Sequence, residues 1–289
     1  PEPQTADGTD SKDETDALLN SRREFHCISS DSPFESVPSA VHFCGMNQKP
    51  ALFAQFPHLI AAQSTRHGGV SETPFASLNL GLSVGDERER VLENRRRFFN
   101  GLGVEFSQVA TSHQVHGSEI LYADIPGHRE CYDALITDVP GVFVTVSIAD
   151  CTPILIFDAT HHVVAAIHAG WRGTAGIVAK TLADMQARFG TRGEDCFAYI
   201  GTCIDECSFE VGVDVADHFT APFKRFDAEK QKFFVDLKQA NAAQLRAFGV
   251  PDAQLEISPF CTVAHNAEYF SHRLERGKTG RMMATIGFK

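Results

Sequence analysis

Apolar and polar residues alternate most clearly over 141–150, "GVFVTVSIAD", where Val142, Val144, Val146 and Ile148 recur at period two. That spacing predicts a strand with one apolar face. Two continuous apolar runs follow, "ILIF" after Pro153 and "VVAAI" over 163–167. They are too short for helices and read as strands buried on both faces. The period then changes. In "TAGIVAKTLADMQARFG", Val178, Leu182, Met185 and Phe189 share one helical face between Thr174 and Gly190. "DERERVLENRRRFFNGLG" predicts a helix with Asp86 and Glu89 at capping-box spacing, and Val91, Arg95 and Phe98 on one side. "DLKQANAAQLRAFG" predicts another, from near Asp236 to Gly249.

These elements describe a mixed α/β domain over 50–289, with no internal repeat and no interior linker. Residues 1–49 form an acidic or irregular N-terminal extension, polar over the first twenty positions. The chain has 289 residues, enough for a large core. Its 26 Lys and Arg against 37 Asp and Glu leave a charge of −11, which disfavours nucleic acid as a partner but permits a local cationic pocket. No run of about twenty apolar residues suggests a membrane span. Eight cysteines without framework spacing read as mostly reduced thiols of a cytoplasmic protein.

Chemistry concentrates where strands end. Cys151, in "SIADCTP", follows the alternating strand, and His168, in "AAIHAGWRGT", follows a buried one. A third candidate is His116 in "TSHQVHG", with His113 as its rival. A Cys/His/His set with an open fourth position suits a catalytic zinc ion. The same residues allow a Cys151 nucleophile with His168 as its base, or roles unrelated to catalysis. Copper is the weaker cofactor, because the thirteen histidines are scattered without repeated H-x-H pairing.

Two arginines mark candidate phosphate contacts: Arg172, with Gly173, just before the 174–189 helix, and Arg66 in "TRHGGVS". Gly68 and Gly69 there can equally make a simple turn. Trp171 fits core packing better than base stacking. Cys203 and Cys207 lack a second pair for a zinc site and fit turn or core roles. Phe209, Glu210 and Val211 are placed to edge a cleft. In the last thirty residues Cys261, Thr262, Phe270, Ser271, Arg273 and Arg281 are placed to close it.

Taken in order, "TRHGGVS", "PFASLNLGLSVGD", "ENRRR", "HQVHG", "ADCTP", "HAGWRGT", "GTCIDECSFEVG" and "CT…YFSHR…GR" resemble the YfiH (DUF152) laccase-domain family over roughly residues 50–289. The resemblance implies a layered fold with mixed β-sheets and flanking helices, and zinc held by His116, Cys151 and His168. It implies phosphorolysis of adenosine, inosine, guanosine and methylthioadenosine with inorganic phosphate, together with adenosine deamination. Arg66 and Arg172 become phosphate contacts by position, Asp150 a residue orienting the metal site, and His113 and Glu210 proton-transfer candidates. Phe209 stands where the family often has Tyr, so that hydroxyl is missing. The competing accounts are a Cys–His amidase or deamidase, a copper-dependent polyphenol oxidase, and a nonenzymatic purine-sensing or partner-binding protein.

Overall fold

A computed structural model describes residues 45–289; the expected extension over 1–49 lies almost wholly outside them. Two six-stranded mixed sheets stack face to face. The first runs Asn47–Gln48, Leu59–Ser64, Met282–Phe288, Phe143–Ile148, Val109–His113, Gly127–Glu130 across its width. The second runs Leu255–Ile257, Cys196–Ile200, Thr152–Asp158, Val163–Ala169, Ala134–Thr137, Ile120–Tyr122.

The continuous apolar runs are explained by their position in the second sheet, where both faces are covered. Ile154, Ile156, Val163, Ala165 and Ile167 point to helices Ile177–Phe189 and Leu237–Phe248. Their neighbours Leu155, Phe157, Val164 and Ala166 point the other way, against Val144, Val146, Ala284 and Ile286 of the first sheet. The outer face of the first sheet meets helix Arg88–Gly101 through Phe98 and Phe99. The order is therefore helix, sheet, sheet, helices. One expectation changes here. The alternating strand has two buried faces, because Phe143 packs under that helix and Thr145 is buried, donating to the Thr285 hydroxyl across 2.7 Å.

Helix ends show which local signals operate. Gly190 and Gly249 stop their helices in the left-handed conformation, with φ of 78° and 104°, where a side chain is disfavoured. Asp236 accepts a hydrogen bond from the Gln239 N–H at 2.9 Å and starts the last helix as expected. Asp86 does not make the expected capping box. Its carboxylate instead accepts from the Ser71 hydroxyl and the Asn79 amide, and the helix begins at Arg88. The helix expected from Thr174 begins at Ile177, after a 3-10 turn over Gly173–Ala175. A small third sheet (Glu210–Val211, Lys232–Val235, Lys224–Asp227) packs Phe209, Val211, Phe233 and Val235 beside Trp171, the packing role expected of that tryptophan.

Candidate metal and anion site

His168 is the penultimate residue of its strand and is almost wholly buried, while Cys151 directly precedes the neighbouring antiparallel strand. Pairing of Pro153 with His168 brings the end of one strand beside the beginning of the next. His116 arrives from the turn after Val109–His113. The ligand atoms of His116, Cys151 and His168 all lie within 4.8 Å of one another, and the two imidazoles meet edge to face with centroids 4.8 Å apart.

The residue that assembles this cluster is Asp133, which sequence reasoning passed over. Its fully buried carboxylate accepts the Nδ1–H of His168 at 2.8 Å and the N–H groups of Val115, His116 and Gly117 at 3.2, 3.0 and 2.7 Å. Its carbonyl accepts the His168 N–H at 2.7 Å. One side chain thus fixes the His168 ring and folds the turn that carries His116, whose φ of 58° is unusual for a residue with a side chain. With Nδ1 committed to Asp133, Nε2 is the nitrogen of His168 that is left to coordinate. Only the position of Asp133 before a buried strand, in "CYDALIT", hinted at this.

Electrostatics follow from the arrangement. Burial alone would raise the Cys151 thiol, but His168 and His116 more than offset that and pull it well below its ordinary range. Burial would likewise lower His168, yet Cys151 and Asp133 push it up. Both shifts favour a thiolate beside an imidazolium. Asp133, despite burial, is held below the usual carboxylate range by His168 and by the Gly117 and Val115 N–H groups.

The cluster sits in the wall of a cavity of about 1070 Å³. His113, Asp150, Arg273 and Arg281 line it as well. Asp150 (φ 80°) accepts from the Thr262 hydroxyl at 2.5 Å and from the Arg273 N–H at 2.6 Å, so it ties late segments to the site. Arg281 stands over Gly81, where a Cβ would lie 2.6 Å from its side chain.

Three expected site residues are placed elsewhere. Arg66 does not line the cavity. Its guanidinium donates to the carbonyls of Ala76 and Asn266 and to Glu275, and covers the Phe270 ring at 4.5 Å. Arg172 is exposed and stacks on Trp171 at 4.2 Å, and the intervening 3-10 turn separates it from the helix start that was expected to help hold an anion. Glu210 offers its backbone carbonyl to Arg273 rather than lining the cavity with its side chain. His113 reaches the cavity but is half exposed, with Glu130 at 3.9 Å.

A second group of metal-competent residues, Asp158, His161 and Asp195, lies apart from this cavity. Its carboxylates already accept from the Thr160 and His161 N–H groups, the Thr160 hydroxyl and Arg192. Those bonds account for it as a satisfied turn.

Comparison with known proteins agrees with this architecture. A family model described as multi-copper polyphenol oxidoreductase laccase matches residues 60–289. A purine nucleoside phosphorylase of Bacteroides thetaiotaomicron is 40% identical over 240 residues, 77% of this chain and 89% of that protein. The purine nucleoside phosphorylase YlmD of Geobacillus stearothermophilus is 37% identical over 253 residues, 80% of this chain and 91% of that protein. The crystal structure of YlmD superposes with a TM-score of 0.78 at 35% identity, covering 84% of this chain and 99% of that one. YfiH of Bacillus licheniformis superposes with a TM-score of 0.76 at 34% identity, over 82% and 94% of the two chains.

Proposed function

Because the chain belongs to the YfiH (DUF152) family, we propose that it is a zinc-dependent purine nucleoside phosphorylase that also deaminates adenosine. Its relatives named purine nucleoside phosphorylase support the first activity. The single observation that carries the reading is the convergence of His116, Cys151 and His168 in the wall of a cavity that also holds Arg273 and Arg281.

The donor set fits a zinc ion. One thiolate and two imidazoles are borderline-soft ligands, and the cluster presents its exposed His116 side toward the cavity. Gly170 keeps the space clear, since a Cβ there would lie 2.8 Å from the His116 ring and 3.3 Å from the Cys151 sulfur. Copper oxidation is less well served, because the described residues bring together no histidine-rich group of the kind a multicopper centre needs. Bound zinc would supply Lewis-acid polarisation of an oxygen on the reactant.

The chain's own residues do the rest. Inorganic phosphate meets Arg281 and Arg273, which hold it beside the triad and screen its charge as it approaches the anomeric carbon. Positive charge grows on the ribose as the purine leaves, and a proton delivered to the purine nitrogen improves the leaving group. His113, at the cavity edge, is the proton donor of choice. Glu210 contributes only through its backbone carbonyl, which accepts from the Arg273 guanidinium. Arg66 and Arg172, expected on resemblance to bind phosphate, contribute by tethering the late segment and by shielding Trp171. Adenosine, inosine, guanosine and methylthioadenosine share the ribose–purine bond that this geometry addresses. Incubating metal-replete protein with adenosine, with and without phosphate, tests the proposal. Adenine and ribose 1-phosphate should appear together only with phosphate, and inosine and ammonia in both.

A second reading has one observation in its favour. Cys151, His168 and Asp133 form a thiolate–imidazolium pair backed by a carboxylate, which is a nucleophile arrangement. Amide hydrolysis by metal-stripped protein, with covalent labelling of Cys151, would select it.

A further inference from the structure

Among the described residues, Arg95 is a buried cation without a counter-charge. It is 9% exposed, and its Nε donates to the Leu80 carbonyl at 2.8 Å. Among the described residues no carboxylate pairs with its terminal nitrogens, and the charge that acts on it is another cation, Arg88. Burial and Arg88 together bring the guanidinium down to about 10. Other buried charges among the described residues are answered: Lys238 by Asp205, Asp133 by His168, Asp158 by His161, and Asp150 by the Thr262 hydroxyl and the Arg273 N–H. A buried cation is costly unless something negative meets it.

Arg95 and Arg88 lie seven positions apart, two turns along the Arg88–Gly101 helix, and so share a face. Both line the large cavity, as does the hydroxyl-bearing Ser83. Arg88 likewise has no carboxylate partner among the described residues. The one acid they place in the cavity lining is Asp150, whose two oxygens already accept from Thr262 and Arg273. In a chain of charge −11, this concentration of unanswered guanidiniums is a marked segregation.

Position separates this pair from the metal cluster. Phe106 and Val109 border the Arg95 end, and His113 and His116 the other. Strand Val109–His113 connects them and spans roughly 13 Å at the usual rise per residue. The two ends are therefore distinct places in one cavity.

We propose that Arg95 and Arg88 form a second anion subsite, which takes a phosphoryl group, either free inorganic phosphate or a phosphate carried on the ligand. Two guanidiniums and the Ser83 hydroxyl supply more donors than one carboxylate can use, and match a tetrahedral dianion. This goes beyond the phosphate contacts at Arg281 and Arg273, and its test does not need turnover.

Calorimetric titration of phosphate into the full chain, with thermal unfolding in phosphate and in acetate, decides the matter. Arg95→Met should lose one bound phosphate per chain, or bind it about tenfold or more weakly. Its unfolding midpoint without phosphate should equal or exceed that of wild type, because an unanswered buried charge is gone. The phosphate-dependent rise in midpoint should shrink with it. Arg88→Gln, at an exposed position, should weaken phosphate severalfold without changing the fold. Unchanged phosphate binding in both variants would overturn the assignment, as would an equal response to acetate. Adenosine 5′-monophosphate and adenosine identify the source. Preference for the monophosphate that vanishes in Arg95→Met marks a carried phosphate, and equal binding alongside Arg95-dependent orthophosphate marks a free one. If ribose 1-phosphate never forms but Arg95-dependent binding persists, the proposed reaction fails and the subsite stands; the opposite pair of results removes the subsite alone.

Discussion

Replacing Asp133 with Asn changes one atom and sets two requirements against each other. In the wild type Oδ1 serves His116 N–H and His168 Nδ1–H, and Oδ2 serves Val115 and Gly117 N–H. An Asn amide that keeps its oxygen at Oδ1 points NH2 at two N–H donors, one of them 2.7 Å away. The flipped amide points NH2 at His168 Nδ1 and the His116 N–H. His168 must then carry its proton on Nε2, which removes the coordinating lone pair. Either choice loses charge-assisted hydrogen bonds of about 1.5–3 kcal/mol each and leaves a buried donor unmet. A net destabilisation of about 3 kcal/mol corresponds to an unfolding midpoint about 6–12 °C lower in a domain of this size. Zinc affinity should fall about 10- to 100-fold, as is usual when the partner of a coordinating histidine is lost.

The pH dependence of that stability has a definite sign. The Asp133 carboxyl is depressed in the folded state, so its stabilisation is present above the unfolded carboxylate range and disappears as pH falls through the folded value. Wild type should lose stability on acidification more steeply than Asp133→Asn. Thermal melts from neutral to acidic pH and zinc competition against a chromogenic chelator measure both effects. Wild-type zinc affinity and an unchanged midpoint in the variant would refute the role given to Asp133.

In metal-stripped protein the depressed Cys151 thiol should still alkylate with iodoacetamide at pH values where an ordinary thiol is protonated. Mass spectrometry should show His168→Gln moving that pH profile upward, and zinc suppressing the labelling. Zinc binding near neutral pH should release about one proton, from the raised His168, seen as buffer-dependent heats in calorimetry. Gly170→Ala should displace His116 and lower zinc occupancy, measured by elemental analysis, at a stability cost of about 1–3 kcal/mol typical of overpacking.

What the sequence made legible depends on how local each cause is. Ile154–Phe157 and Val163–Ile167 stand out because burial on both faces leaves no polar positions, and Gly249 ends its helix by a requirement of its own φ. Asp86 shows the limit. It has the right spacing for a cap, but Ser71 and Asn79, brought near by the fold, claim its oxygens. The third sheet passed unread because Glu210–Val211 and Lys224–Asp227 are too short and too polar to carry a period.

The site divides the same way. Cys151 and His168 were legible as residues at the ends of apolar strands, and His116 through its motif. Asp133 was not, since its importance lies in four donors that converge only after folding. Arg66 looked like a phosphate ligand because glycines follow it, yet Glu275, far along the chain, occupies it. Arg95 looked like one face of a helix. Its lack of a carboxylate partner among the described residues appears only when the surrounding carboxylates are located.

The central claim is that one zinc ion, held by His116, Cys151 and His168, is required for phosphate-dependent nucleoside cleavage. Zinc titrated into stripped protein, with ribose 1-phosphate formation from adenosine followed at each addition, tests it most directly. The account predicts activity that rises linearly and saturates at one zinc per chain, with copper unable to replace it. Full activity in stripped protein, or activity restored by copper alone, would contradict it.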